Sequence, residues 1–211
     1  MSDSLNDFET ALLRYLTTEQ LQKIRSVRVG IAGAGGLGSN CATALVRSGF
    51  REIKVVDFDV IEPSNLNRQF YFLDQVGKPK VQVLQENLQR INPSANIVPL
   101  QLRIDSTTVE DLFLDCDIVV EAFDKPESKR MIVESYMNSG KLLVSASGLA
   151  GWGNSDRIAV HRIRDNFFII GDLTTGIESG APPLSPCVSI AAAKQADIIL
   201  NYVLESSRIG G

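Results

Sequence analysis

The sequence predicts an α/β fold: a mostly parallel sheet, doubly wound by helices on both faces. Three observations carry that prediction. Apolar runs of strand length alternate with segments of helical period between residues 27 and 146. The first run ends in a glycine cluster, Gly33-Ala-Gly-Gly-Leu-Gly38, ahead of a helical segment. The second run, Glu52-Ile-Lys-Val-Val-Asp57, ends in an acid 22 residues after Gly35.

The composition narrows the class before any motif is used. At 211 residues the chain can bury one core, so residues 1–211 are expected to form a single domain, with 1–25 as a helical extension. A net charge of −4 argues against a general nucleic-acid binder, which would carry a basic surface. Cys41, Cys116 and Cys187 are far apart and form no Cys-x-x-Cys, so a four-cysteine zinc site is not expected. That usage fits a reducing compartment, and a cytoplasmic location is expected. The stretch Met1 to Glu9 is acidic without an apolar centre, unlike a signal peptide. No apolar run reads as long enough to span a bilayer, so no membrane association is expected.

The elements follow in order. Leu5, Phe8, Leu12, Leu13 and Leu16 recur at helical spacing, and Thr17-Thr-Glu-Gln20 is a capping box restarting a second helix through Leu21 and Ile24. Strand one covers 27–33 and leads through the glycines to a helix over about 37–48, stopped by Gly49. Strand two covers 52–57. The polar connection from Phe58 to Gln75 has no period and is long for a loop, which marks it as functional. A helix from about Lys78 to Asn92 turns Val81, Leu84, Leu88 and Ile91 to one face. Strand three is Ile97 to Leu102, and Ser106 is expected to cap a short helix to about Leu114. Strand four, Cys116 to Glu121, has the continuous apolar run of a buried parallel strand. Helix 126–138 and strand five, Lys141 to Ala146, follow. Arg157 to Arg162 and Phe167 to Ile170 flank Arg164-Asp165-Asn166 as a C-terminal β-hairpin extension; alternation turns His161 away from the face of Ile158 and Val160. A Gly/Pro-rich segment, Gly171 to Pro186, crosses to a last helix over about 187–205.

The chemistry gathers at the carboxyl ends of the predicted strands, where ligands bind in this architecture. Gly33, Gly35 and Gly38 fit the G-x-G-x-x-G spacing of a Rossmann-like phosphate turn, in which the backbone must approach an anion closely. Asp57 can accept hydrogen bonds from a ribose. Asn65, Arg68 and Gln69 can bind phosphate oxygens, with Arg68 as the planar bidentate donor. Pro79 presets a helix start, and Lys80 in its first turn is a point charge for phosphate. Asp124, just past strand four, suits a hydrated Mg²⁺, which prefers one or two carboxylates plus phosphate. Taken singly, each of these has a bland reading as a turn residue, a solvated charge or a helix cap. Their shared position at one edge favours a site.

The blocks Gly33-Ala-Gly-Gly-Leu-Gly-Ser39, Asp57-x-Asp59, Ser64-Asn-Leu-Asn-Arg-Gln69, Gly77-Lys-Pro-Lys80 and Ile91-Asn-Pro93 resemble the ThiF/MoeB/HesA family, bacterial relatives of ubiquitin-activating enzymes. The resemblance covers about residues 10–205. It implies an ATP-dependent adenylyltransferase that activates the C-terminal glycine carboxylate of a small ubiquitin-like sulfur carrier ending in Gly-Gly, in thiamine-type sulfur transfer. By matching motifs, Gly33, Gly35, Gly36, Gly38, Asp57, Asp59, Asn65, Arg68, Gln69 and Lys80 would bind ATP. Arg68, Lys80 and Asp124 would serve the reaction, and Asp124 would hold Mg²⁺. A homodimer is implied as well.

The chain also departs from the family pattern. The zinc cysteines of many members are missing, so ATP and Mg²⁺ are expected without zinc. The crossing segment Thr174 to Pro186 has no cysteine, and Cys187 is assigned to packing, so adenylation without an enzyme–carrier covalent bond is expected. The family's R-Y-x-R-Q pattern is reduced to Arg14-Tyr15-Leu16-Thr17, leaving Arg14 as the candidate to reach across a dimer. The terminal Arg208-Ile-Gly-Gly211 allows self-modification, although a frayed tail is the simpler reading. Three alternatives stay open. One is a related ATP enzyme acting on a tRNA-attached or small-molecule carboxylate. Another is an NAD-dependent oxidoreductase, which would leave Arg68, Lys80 and Asp124 unexplained. The third is a noncatalytic module.

Overall fold

The computed structural model describes residues 4–175 and 180–205. Its centre is one seven-stranded sheet. The strands are β1 (Arg28–Ala32), β2 (Glu52–Val56), β3 (Asn96–Leu100), β4 (Ile118–Glu121), β5 (Leu142–Ala146), β6 (Ala159–Arg164) and β7 (Phe167–Gly171). They lie in the order β3-β2-β1-β4-β5-β7-β6, all parallel except β6, which pairs antiparallel with β7. The doubly wound, mostly parallel sheet and the hairpin extension are therefore as expected.

The helices are α1 (Asp7–Leu12), α2 (Thr18–Ser26), α3 (Gly36–Arg47), α4 (Lys80–Gln89), α5 (Val109–Leu112), α6 (Pro126–Tyr136) and α7 (Ser185–Glu205). Strand alternation divides the apolar side chains between two layers. Val29, Ile31, Val55 and Val120 pack with Leu45 of α3, Leu84 of α4 and Ile199 of α7. Ala32, Val56, Val119 and Leu143 pack with Phe113 beyond α5 and with Ile132 and Tyr136 of α6. Each layer buries several large aliphatic groups, each contributing about 1.5–3 kcal/mol when fully buried.

Some local expectations need correction. The first helix ends at Leu12, and Leu5, Phe8, Leu12 and Leu16 are only half-buried, with Leu13 exposed. What α1 buries completely is Glu9, whose carboxylate meets the Arg51 guanidinium and accepts the Asn92 amide at 3.3 Å. Ser106 does not cap α5. Instead the Asp105 carboxylate takes the N–H groups of Thr107 and Thr108 at 2.9 and 3.1 Å, tightening the turn before the helix. The Thr17–Gln20 capping box is present at α2. The loop after β2 holds two 3₁₀ turns, Pro63–Asn65 and Leu73–Gln75.

The 21-residue α7 is long and apolar enough to cross a membrane, contrary to the expectation for the chain. Small and β-branched residues raise its hydropathy because it is a core helix. Cys187, Val188, Ala191, Ala192, Ile199 and Val203 are buried among the sheet and its neighbours, and the Lys194 ammonium donates to the Ile158 carbonyl. The terminal Gly210-Gly211 lies outside the described residues.

The register levels the strand ends. Ala32 faces Val56 on one side and Glu121 on the other. The residues that follow, Gly33, Asp57 and Ala122, therefore share one edge. The strand order reverses direction between β1 and β4, opening a crevice at that edge.

Candidate functional site

The chain leaves β1 through Gly33 at φ +107°, with its N–H donated to the Val56 carbonyl at 2.8 Å. A Cβ there would lie 2.9 Å from the Ala122 carbonyl oxygen, and one at Gly38 would lie 1.9 Å from the Gly33 oxygen. Only glycine permits this closure. Gly35 is the N-cap of α3 and supplies no capping side chain. The N–H groups of Gly36, Leu37 and Gly38 thus point off the helix without an intrahelical acceptor, at the positive end of its dipole.

The predicted side chains gather around this turn. Asp57 is buried at the end of β2. Its Oδ2 accepts the Ala34 N–H at 2.7 Å and its Oδ1 accepts the Asp59 N–H at 2.9 Å. Each oxygen keeps further acceptor capacity. The Lys80 ammonium is buried against the half-exposed Asp59 carboxylate at 2.9 Å, and two of its three donors remain for another anion. The Arg68 stem runs beside Gly36, within 3.4 Å of where a Cβ would stand. Its guanidinium donates to Asn67 Oδ1 at 2.7 Å and makes no ion pair among the described residues. Gln69 is buried next to Gly35, and its Oε1 has no hydrogen-bond partner among the described residues. An orphaned acceptor of that kind is costly unless a ligand or water supplies a donor.

Asn65 and Asp124 sit differently. The Asn65 Oδ1 accepts the Glu62 N–H at 3.1 Å, and its carbonyl takes the N–H groups of Arg68 and Gln69. It builds the 3₁₀ turn that presents those two residues, leaving its amide nitrogen for a ligand. Asp124 is exposed just before the α6 N-cap, Lys125. Ahead of it, Ala122 and Phe123 abut Gly33. No group of three or more metal-ligating side chains forms among the described residues. A single carboxylate suits Mg²⁺, which keeps several waters and leans on phosphate oxygens.

Of the residues that hold this cluster together, the sequence marks Ser39 as part of the glycine motif and does not single out Tyr71, Asn40 or Glu121. The Tyr71 hydroxyl donates to the Ala34 carbonyl at 2.7 Å. The Ser39 hydroxyl donates to the Gly35 carbonyl at 2.7 Å and accepts the Phe70 N–H at 3.0 Å. The Asn40 amide donates to the Gly36 and Arg68 carbonyls at 2.7 and 2.8 Å. Across β4, Glu121 is fully buried; it accepts Lys129 at 3.1 Å, the Ser145 hydroxyl at 2.6 Å and the Phe123 N–H at 2.7 Å. The last of these bonds fixes the turn leading to Asp124.

The end of the crossing segment closes the same edge. Asn67 donates to the Pro183 carbonyl at 3.3 Å, and Val188 of α7 covers Gly36. Cys187 is buried in α7, in line with packing. Arg14 is exposed in the turn between α1 and α2, and Trp152 is exposed in the loop before the hairpin. His161 is half-buried, its Nε2 2.9 Å from the Gly171 carbonyl. A cavity of about 410 Å³ lies away from this edge, between α5 and α6. It is lined by Glu110, Arg130 and Glu134, and the last two already pair at 2.7 Å.

Known proteins share this fold. A family model described as the ThiF family matches residues 9–205. Adenylyltransferase and sulfurtransferase UBA4 of Saccharomyces cerevisiae is 33% identical over 195 residues, covering 86% of this chain and 43% of that protein. The E. coli tRNA N6-threonylcarbamoyladenosine dehydratase TcdA, solved with AMP, matches with a TM-score of 0.86 at 20% identity, covering 96% of each chain. E. coli MccB, solved with ATP, matches with a TM-score of 0.72 at 25% identity, covering 97% of this chain and 66% of that one. The chain spans less than half the length of the curated relatives it matches.

Proposed function

The chain belongs to the ThiF family, and we propose that it is an ATP-dependent adenylyltransferase acting on the C-terminal glycine carboxylate of a small ubiquitin-like sulfur carrier. The observation that carries this reading is the closure of Asp57, Arg68, Gln69 and Lys80 on an uncapped glycine turn. The UBA4 relatives are named for adenylyl and sulfur transfer, which supports a protein carrier as the acceptor.

The residues fit ATP in parts. Asp57 accepts from the ribose hydroxyls. The open N–H groups of α3 and the ammonium of Lys80 receive phosphate oxygens, and Arg68 adds a planar fork. The Gln69 amide nitrogen offers donors to a phosphate oxygen, and its orphaned oxygen accepts from a hydroxyl. The carrier carboxylate attacks the α-phosphorus, the bond to the β-phosphate oxygen breaks, and pyrophosphate leaves with its electrons. Two anions approach and a third departs, so positioning and fixed positive charge supply most of the rate. Arg68 and Lys80 offset that charge. Mg²⁺ held by Asp124 would neutralise phosphate charge further.

The finer parts of the proposal are a place in thiamine biosynthesis, a homodimer across which Arg14 reaches, and transfer with no covalent enzyme–carrier bond. The burial of Cys187 supports the last. A tRNA-attached or small-molecule carboxylate is the second reading. The net charge of −4 counts against tRNA, and retention on immobilised tRNA at moderate salt would favour it. The direct test is exchange of labelled pyrophosphate into ATP. We expect exchange that depends on a carrier ending in Gly-Gly. Exchange that no such carrier stimulates would refute the assignment.

A further inference from the structure

The glycine turn has more fastening than its own backbone supplies. Each peptide plane from Gly33 to Leu37 is held: the first two by side chains remote in sequence, Asp57 and Tyr71, and the next two by Ser39 and Asn40 in the first turns of α3. The Gly33–Ala34 plane is held through its N–H by Asp57. The Ala34–Gly35 plane is held through its carbonyl by the Tyr71 hydroxyl at 2.7 Å. The Gly35–Gly36 carbonyl takes the Ser39 N–H and hydroxyl, and the Gly36–Leu37 carbonyl takes the Asn40 amide. In a trans peptide the N–H points opposite to the carbonyl. Fixing the carbonyls of Ala34, Gly35 and Gly36 therefore aims the N–H groups of Gly35, Gly36 and Leu37 away from the protein interior, where an anion can reach them.

We propose that Tyr71 and Asn40 are positioning residues for the nucleotide phosphates. Tyr71 sets the Gly35 N–H, and Asn40 sets the Leu37 N–H and ties it to Arg68. The two Asn40 amide protons reach from the turn to a cationic residue, one on the Gly36 carbonyl at 2.7 Å and one on the Arg68 carbonyl at 2.8 Å. Tyr71 is buried, and burial together with the Asp57 charge pushes its phenol well above the usual range, so the hydroxyl stays a donor. Neither residue reaches the site through its own side chain, and both act by aiming backbone groups. The inference rests on the reading of this edge as an ATP site.

The test is calorimetric affinity for ATP and, by competition, for adenosine, which has no phosphates. Tyr71→Phe keeps the ring and removes only the hydroxyl. It is expected to weaken ATP binding about tenfold, the scale of one oriented hydrogen bond, while adenosine affinity changes less than about twofold. Asn40→Ala should act in the same direction, and it reads the same ratio if Tyr71→Phe fails to fold. Equal ATP affinity in the variants, or a proportional loss for both ligands, overturns the positioning role while the ATP reading stands. An unmutated protein that binds no ATP overturns both.

Discussion

At the scale of single residues, two kinds of change separate architecture from charge. Gly38→Ala puts a methyl group 1.9 Å from the Gly33 carbonyl oxygen, so the turn must open. We expect this variant to lose ATP binding in a direct titration and to melt at a lower temperature. Arg68→Ala removes charge at the half-buried rim of the turn, and Lys80→Met removes the buried ammonium that pairs with Asp59. Each is expected to slow pyrophosphate exchange by about a hundredfold, the usual scale for a lost electrostatic contact, with an unchanged denaturation midpoint for Arg68→Ala. The sequence made Gly33, Asp57, Arg68 and Lys80 legible because their spacing fixes their place relative to the strand ends. It did not reveal Tyr71, Asn40 or Glu121. Their work is done by hydrogen bonds to segments remote in sequence, and such contacts leave no local periodicity. Asn65 was legible as a polar group, but its use in building the 3₁₀ turn follows from a bond to Glu62 that spacing alone does not imply.

At the scale of elements, two polar clamps fasten the ends of the site. Lys129 of α6 neutralises the fully buried Glu121 and also donates to the Ala146 carbonyl at 2.8 Å, joining α6 to β4 and β5. Lys129→Met leaves the Glu121 carboxylate buried without that cation. The expected cost is about 3–5 kcal/mol, read as a lower urea midpoint at an unchanged slope. The second clamp holds the start of the crossing segment. Arg157 meets the Asp172 carboxylate and the Ala150 carbonyl, and Asp172 takes the N–H groups of Thr174 and Thr175 at 2.9 and 2.8 Å. Burial works against the Asp172 charge. The Thr175 hydroxyl and N–H, the Thr174 N–H and Arg157 outweigh it and hold the carboxyl well below its usual range. A carboxyl depressed in the folded state stabilises fully above its unfolded pKa of about 3.9 and loses that contribution as pH falls through the folded value. Stability between about pH 4 and pH 2 should therefore fall less steeply in Asp172→Asn than in the unmutated protein, as followed by urea melts at each pH. The hairpin was legible from its two apolar runs and polar turn. The parallel pairing of β7 with β5 was not, because nothing in either strand specifies its neighbour. The burial of Glu9 in α1 was hidden for a related reason: apolar spacing flags the apolar residues of a helix, and its partner Arg51 lies in another segment.

At the scale of the whole molecule, the winding of the sheet creates the site. The reversal between β1 and β4 sets the glycine turn, Asp57 and the Asp124 turn on one edge, and the ThiF relatives match across nearly the whole described chain. The thiols stand apart from this edge chemistry. Burial pushes Cys41 up to about 12, and burial beside Asp115 does the same for Cys116. Cys187 is buried like the other two, so with no thiol exposed to a carrier no enzyme–carrier band should appear on non-reducing gels after incubation with ATP and a carrier. In the proposed reaction this edge transfers an adenylyl group to another protein's terminal carboxylate. Intact-mass measurement of a Gly-Gly-ending carrier after incubation with the protein, ATP and Mg²⁺ tests it most directly. We expect a carrier heavier by one adenylyl group, and no such gain with Arg68→Ala. A carrier of unchanged mass, alongside ATP demonstrably bound to the protein, would contradict it.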